Sequence, residues 1–403
     1  MIFSNPQFIL YLMSFLFLYE LIGRTQIRSY FLVVSSILFY LIFAGVAALF
    51  ILILAAFTTW VCLKSSRTKL IPVGIFANVF LLFSFKYLHT NILFINAHEY
   101  LLSLLSLNDI QALIPKWIEV LIIPLGLSFY VFELIHLLIE KFRGGITHLS
   151  PSEYLNFIFF WPTVIAGPIK RLKSFKIPDL SDLPLVTRLY SSIPLVALGY
   201  FYKVVGDNLS IFIRVLEGNL SSITPNQARL LILTLGLRIF FDFAGYSYIA
   251  IGISRQMGVY LPRNFQAPYL ALNIRDFWNR WHISLSSWIR DYVYVPLGGN
   301  RNGSARKRIN LLAAMTLCGA WHGGTSNFVL WGAYHGILLA SYDWFSSRKK
   351  VSKNPLSSKN KFQLILRFRE SIGWILTQIL VFLGWTLFFY PIKDALEILK
   401  VAI

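Results

Sequence analysis

The chain has 403 residues, 56% of them hydrophobic, 16% aromatic and only 14% charged. With a mean hydropathy of +0.63, that composition excludes an ordinary soluble domain, in which about a quarter of the residues are charged. The net charge of +19 is gathered in short clusters between apolar runs, "KSSRTK" (64–69), "KRLKSFK" (170–176), "RNGSARKR" (301–308) and "RKKVSK" (348–353). Such spacing is the positive-inside signal of a multi-pass membrane protein, reinforced by anionic membrane lipids, and no nucleic-acid partner is expected.

An all-α, polytopic membrane protein is therefore predicted, as a single domain over 1–403. The first apolar run starts within ten residues and lacks a basic n-region or a cleavage site, so it is expected to stay as the first span, about 6–22. A helical pair at about 28–63 turns near Gly45 and returns to the basic cluster at Lys64. Further spans are expected at about 70–88 and 117–139, joined by a loop poor in basic residues. Orientation from the clusters puts Ser66 and Lys349 on the cytoplasmic side and Asn96 outside.

The stretch "EYLNFIFFWPTVIAGPIKR" (153–171) is too short to cross twice, and Pro162, Gly167 and Pro168 interrupt it. A re-entrant or broken segment is predicted. Spans follow at about 186–205 and 227–253. The second carries Arg238 and Asp242, four positions apart, which are expected to face the interior and to pair with each other.

Residues 264–308 are too polar to span. Read as a helix, "RDFWNRWHISLSSWIRDYVYVPLGG" (275–299) puts Trp278, Trp281, Leu285 and Trp288 on one apolar face, with Asp276, Asn279 and Arg280 on another side. The apolar stretch 309–345 is interrupted by "WHGGTS" (321–326), which places His322 at a break rather than in mid-helix. A last span is expected at about 372–391. Cys62 and Cys318 lie in apolar runs and are read as buried thiols.

Two histidines, His282 and His322, each follow a tryptophan directly. An ionisable group at membrane depth points to function, and histidine moves protons near neutral pH. No HExxH, P-loop, GxSxG or dinucleotide-binding motif occurs. A histidine-only metal site from His282, His322 and His335 would have no acidic or cysteine ligands nearby, so no metal is expected. His89, His98, His136 and His148 are read as loop or interface residues.

The run "FDFAGYSYIAIGISRQMGVYLPRNFQAPYLALNIRDFWNRWHISLSSWIRDYVYVPLGGNR", followed by "WHGGTSNFVLWGAYHG", resembles the bacterial branch of the membrane-bound O-acyltransferases, nearest its alginate O-acetyltransferase-like members. "IPLGLSFYVFELIHLLIEKFRGG" and "VIAGPIKR" resemble earlier blocks of that family, and the likeness covers about 120–340. Two features depart from the pattern: Tyr248 stands where such enzymes often have Asp, and many members continue with further spans beyond the last one here.

The resemblance implies a ring of transmembrane helices around a funnel or tunnel with re-entrant or broken helices, in the bacterial inner membrane. It implies acyl transfer, most directly of acetyl, from a thioester donor to a hydroxyl. The donor would be acetyl-CoA or an acyl-carrier protein, with no resident cofactor. The acceptor would be an exported polysaccharide or an extracytoplasmic transferase partner, with membrane lipid around the protein. The family's invariant histidine matches His322 and its second polar position matches His282. His322 is then the expected base, with Gly323 and Gly324 allowing close approach of backbone to substrate. His282 or Asn279 would stabilise the oxyanion or orient the acceptor, and Asp276, Arg280 and Trp321 would contact substrate. D-alanyl transfer to teichoic acid is the alternative within the enzyme class. A polysaccharide or lipid transporter is the alternative outside it, although such proteins are expected to show repeat symmetry and none is visible.

Overall fold

A computed structural model describes residues 5–88, 124–180, 183–218, 220–348 and 359–403. Every regular element among them is helical, and the described chain divides into two compact units. Met1–Ala197 and Tyr248–Pro262 belong to the first, Leu198–Ser247 and Arg263–Ile403 to the second. His89, His98, Asn96 and Lys349 lie outside the described residues.

The first unit begins with α1 (Pro6–Leu21), α2 (Thr25–Phe43), α3 (Val46–Lys64) and α4 (Leu70–Phe83). These follow the apolar runs closely, and α2 and α3 do turn at Gly45, whose φ of 83° is the left-handed region that favours glycine. The large apolar side chains of α1 and α3 are not all inside: Leu10, Met13, Phe17 and Phe50 are all more than 60% exposed. In water such a surface would drive association, and in a bilayer it is the lipid-facing side. The inner side is aromatic. Trp161 packs against Phe8, Tyr11, Phe15 and Phe39 with ring centroids 5.2 to 6.2 Å apart.

Residues 153–171 form no continuous helix. A short helix, α6 (Pro151–Ile158), follows α5 (Leu127–Phe142) and is opened by a capping box between Ser150 and Glu153. A 3-10 turn at Trp161–Thr163 and extended chain come next. This broken backbone is held against α5. Lys170, 1% exposed, donates to Glu133 Oε1 at 2.6 Å and to Thr163 Oγ1 at 2.8 Å. One turn along α5, His136 Nε2 accepts the Leu172 N–H at 3.0 Å. His136 is thus a buried anchor on a helix rather than a loop residue. Gly126 has φ 77°, and a Cβ there would lie 2.2 Å from the Val164 carbonyl oxygen.

Two long helices, α7 (Leu185–Glu217) and α8 (Pro225–Gln256), contribute residues to both units. In the first, Arg188 of α7 forms an ion pair with Glu20 at 2.6 Å. In the second, the expected pairing of Arg238 with Asp242 does not occur. Asp242 pairs with Lys203 of α7, and Arg238 donates to Ser210 at 3.1 Å and lies over the Phe389 ring. Both side chains are only half-buried, and each finds its partner on another helix instead of on its own.

By length and composition, four of the described helical stretches can cross a bilayer: Thr25–Phe43, Leu70–Tyr87, Pro225–Gln256 and Phe368–Phe389. The protein is an all-α, multi-pass membrane protein.

Candidate active site

The second unit contains the two histidines singled out by the sequence. The aromatic-rich stretch after residue 273 is not one helix. It breaks into α9 (Ile274–Arg280) and α10 (Ile283–Ile289), followed by a wide turn at Arg290–Tyr294. Trp278, Trp281, Leu285 and Trp288 are all buried as the periodicity predicts, but the break falls at His282. His282 has φ 41° and ψ 55°, left-handed values that only Ala267 shares among the described non-glycine residues with positive φ. Such a conformation costs roughly 1–3 kcal/mol, and strain of this kind collects at functional sites.

The break is held by the chain before α9. Gln266 N–H donates to the Arg280 carbonyl at 3.0 Å, and Ile283 N–H donates to the Asn264 carbonyl at 2.9 Å. The His282 side chain is buried, with its residue 2% exposed, and its ring stands perpendicular to that of Phe243, the centroids 4.5 Å apart. Burial pushes its imidazole down to about 3, so it is neutral at physiological pH. It can therefore give or take a hydrogen bond but is a poor place to store a proton.

His322 is built differently. It is the last residue of α11 (Gly303–His322), which is joined to α12 (Ser326–Arg348) through Gly323 and Gly324. The two helices approach closely because a Cβ on Gly319 would lie 2.2 Å from the Phe328 carbonyl oxygen, and one on Gly332 would lie 2.3 Å from that of Met315. Gly323 has a structural reason of its own: the Phe328 ring lies 2.3 Å from where its Cβ would be. This contact by itself requires glycine at 323.

The His322 ring is half-buried and framed by Trp321 at 4.5 Å, Phe388 at 5.1 Å and Trp331 at 5.2 Å. Phe388 comes from α13 (Lys359–Phe389), which α14 (Ile392–Ala402) follows. His322 stands at the carbonyl end of α11, where a helix favours positive charge. Trp321 contacts both histidines, its ring 4.5 Å from that of His322 and 6.5 Å from that of His282.

Beside these residues is a cavity of about 630 Å³ within the second unit. That volume suits a ligand of drug or cofactor-fragment size. Asn279 lines it, as do Ile283, next to His282, and Cys318, one turn before His322. Arg275, Arg290 and Lys307 give it a basic side. Arg275, Lys307 and Arg308 all contact the carboxylate of Asp343, so one negative charge holds three positive ones. The remaining sequence candidates take a scaffolding position. Asp276 Oδ1 accepts from Arg280 Nε at 2.8 Å and its other oxygen accepts the Leu272 N–H at 3.2 Å, while Arg280 also donates to the Gln266 carbonyl.

Asp343 and Asn264 were not singled out from the sequence. An isolated Asp in an apolar helix near a basic cluster was the available signal for the first. Nothing marked the second.

Residues 51–384 match the family model described as MBOAT, membrane-bound O-acyltransferase family. The chain belongs to the membrane-bound O-acyltransferases. It is 32% identical over 400 residues to the probable alginate O-acetylase AlgI of Pseudomonas syringae pv. tomato, covering 96% of this chain and 72% of that protein. The peptidoglycan O-acetyltransferase of Helicobacter pylori is 32% identical over 311 residues, 70% of this chain and 56% of its own. The teichoic acid D-alanyltransferase of Bacillus subtilis is 33% identical over 249 residues, 57% of this chain and 61% of its own. As a membrane-bound O-acyltransferase the protein is an enzyme of acyl transfer, which removes the transporter reading.

Proposed function

We propose that this acyltransferase moves an acetyl group from a cytoplasmic thioester, acetyl-CoA or an acyl-carrier protein, across the bacterial cytoplasmic membrane. The acceptor is a hydroxyl of an exported polysaccharide or of an extracytoplasmic transferase partner. The observation that carries the reading is the cavity with Arg275 and Lys307 on its basic side and Cys318, one turn from His322, in its lining. A phosphate-bearing or acidic donor suits the basic side, and a thioester tail suits the apolar lining of Ile283, Leu311 and Met315. The acetylase names among the relatives favour acetyl.

The acceptor hydroxyl is a weak nucleophile and needs a base. His322 takes its proton as the oxygen bonds to the thioester carbonyl carbon. Neutral His282, with Asn279 beside the cavity, supplies a hydrogen bond to the developing oxyanion. As the carbonyl re-forms, the C–S bond breaks and the thiolate recovers the proton from the His322 imidazolium. Trp321 contacts both imidazoles, and Asp276 with Arg280 shapes the edge of the site.

Mass spectrometry of cell-surface polysaccharide, from cells with and without the gene, tests this. Loss of O-acetyl groups is expected. Loss of D-alanyl esters alone would replace acetyl by D-alanyl, and unchanged acylation of every surface polymer would overturn the acceptor class.

A further inference from the structure

Asn264 makes three hydrogen bonds, two of them with the two residues that follow His282. Its backbone carbonyl accepts the Ile283 N–H at 2.9 Å, and its side-chain Oδ1 accepts the Ser284 hydroxyl at 2.6 Å. From the other end of the same amide, Nδ2 donates to Ser247 Oγ on α8 at 3.0 Å. Asn264 and Ser284 are 1% and 3% exposed, so water does not substitute for these bonds. The amide therefore ties the first turn of α10 to α8, which also carries Phe243, the ring perpendicular to that of His282.

The left-handed backbone of His282 is uncommon for a residue with a side chain, and hydrogen bonds to the chain directly after it oppose its relaxation. Relaxation of φ toward ordinary values would swing the ring out of its place beside Phe243 and Trp321. Ser284 at the start of α10 is the point where a side-chain hydrogen bond resists that rotation.

We propose that Asn264 is a positioning residue for acyl transfer, bridging Ser247 and Ser284 so that His282 keeps its strained backbone and its aim. The proposal rests on the reading of His282 as an oxyanion or acceptor ligand. Because Asn264 does not line the cavity that takes the donor, its effect falls on kcat and not on the donor KM.

The test uses the full chain in proteoliposomes with acetyl-CoA. Asn264→Ala is expected to lower kcat on the order of 10- to 100-fold, as for misplacement of a reacting group by about an ångström, with donor KM unchanged. Ser284→Ala and Ser247→Ala, each removing half of the bridge, lower kcat in the same direction and by less. Asn264→Asp, which keeps the acceptor for Ser284, recovers part of the loss. Placed in a His282→Ala background, Asn264→Ala costs nothing further, because there is no ring left to aim.

A folded Asn264→Ala protein with wild-type kcat, or a loss that adds in full to that of His282→Ala, overturns the proposal. If Asn264→Ala does not fold, wild-type kcat in both serine variants overturns it equally. Full activity in His282→Ala would instead remove the reading of His282, a result distinguishable from failure of the bridge.

Discussion

The rings of His282 and Trp321 lie 6.5 Å apart, and Trp321 is the residue directly before His322. The two histidines thus share one aromatic neighbour while sitting in unlike surroundings. His322 is half-buried at a helix end, and His282 is 2% exposed in a strained turn. Different substitution effects follow. His322→Ala is expected to lower the acyl-transfer rate by about 10²- to 10⁴-fold, the usual worth of a general base, with the protein still folded in the membrane. His282→Ala costs less, and His282→Asn less again because a neutral donor is retained. Single-turnover acetylation by purified variants decides; wild-type rates in His322→Ala would remove it as the base.

Burial of His282 also makes a statement about stability and pH. Its pKa falls from 6.5 to about 3 on folding, so between those values the unfolded chain binds a proton that the native state does not. Stability contributed at this position is therefore complete above 6.5 and is lost as pH falls toward 3. Thermal unfolding of detergent-solubilised protein should show a melting temperature that drops through this window, and His282→Asn should flatten the drop. An identical pH dependence in the two proteins would show that the buried imidazole is not its source.

Asp343 holds Arg275, Lys307 and Arg308 at the basic side of the cavity, and one carboxylate against three cations leaves the cluster positive. Lys307→Ala and Arg275→Ala are each expected to raise the donor KM several-fold, with a smaller effect at high salt, where attraction to the donor is already screened. Asp343→Asn acts on stability instead, since the three cations then repel one another without a counter-charge. Steady-state kinetics at two ionic strengths separate these outcomes. A salt-independent, unchanged donor KM in both cation variants would reduce the cluster to a topological anchor.

The contact of α11 with α12 depends on glycine at 319 and 332, where any side chain would enter backbone atoms of the opposite helix. Gly332→Val should force the helices apart and move His322 away from Trp331, 5.2 Å distant in the native arrangement. The expected result is a melting temperature well below that of the parent and loss of acyl transfer, whereas Ala333→Val beside it is mild. Size-exclusion profiles and thermal melts in detergent would show it. Parent-like stability of Gly332→Val would mean that the hairpin has room the geometry denies.

Much of the architecture was legible in the residues alone. Helix lengths and turns follow apolar runs because backbone polar groups in a bilayer must be satisfied within a helix, and Gly45 and the Pro162–Pro168 stretch interrupt those runs. The same constraint made His322 readable as a residue at a break, since "WHGGTS" stops an otherwise apolar segment. Tertiary structure decided everything that depends on a partner distant in sequence. Periodicity could place Trp278, Trp281, Leu285 and Trp288 on a buried face, yet the break at His282 is held by the Ile283 N–H donating to the Asn264 carbonyl and the Gln266 N–H donating to that of Arg280. Asp242 and Arg238 were neighbours on their own helix and found better donors and acceptors across it, in Lys203 and Ser210. That Gly323 also makes room for the Phe328 ring depends on a residue five positions on, which no local pattern shows. Composition and periodicity report how a segment meets its solvent, because that free energy is summed residue by residue. Ion pairs, buried amide bridges and ring contacts are short-ranged and pairwise, so they are settled only when the fold brings the two residues together.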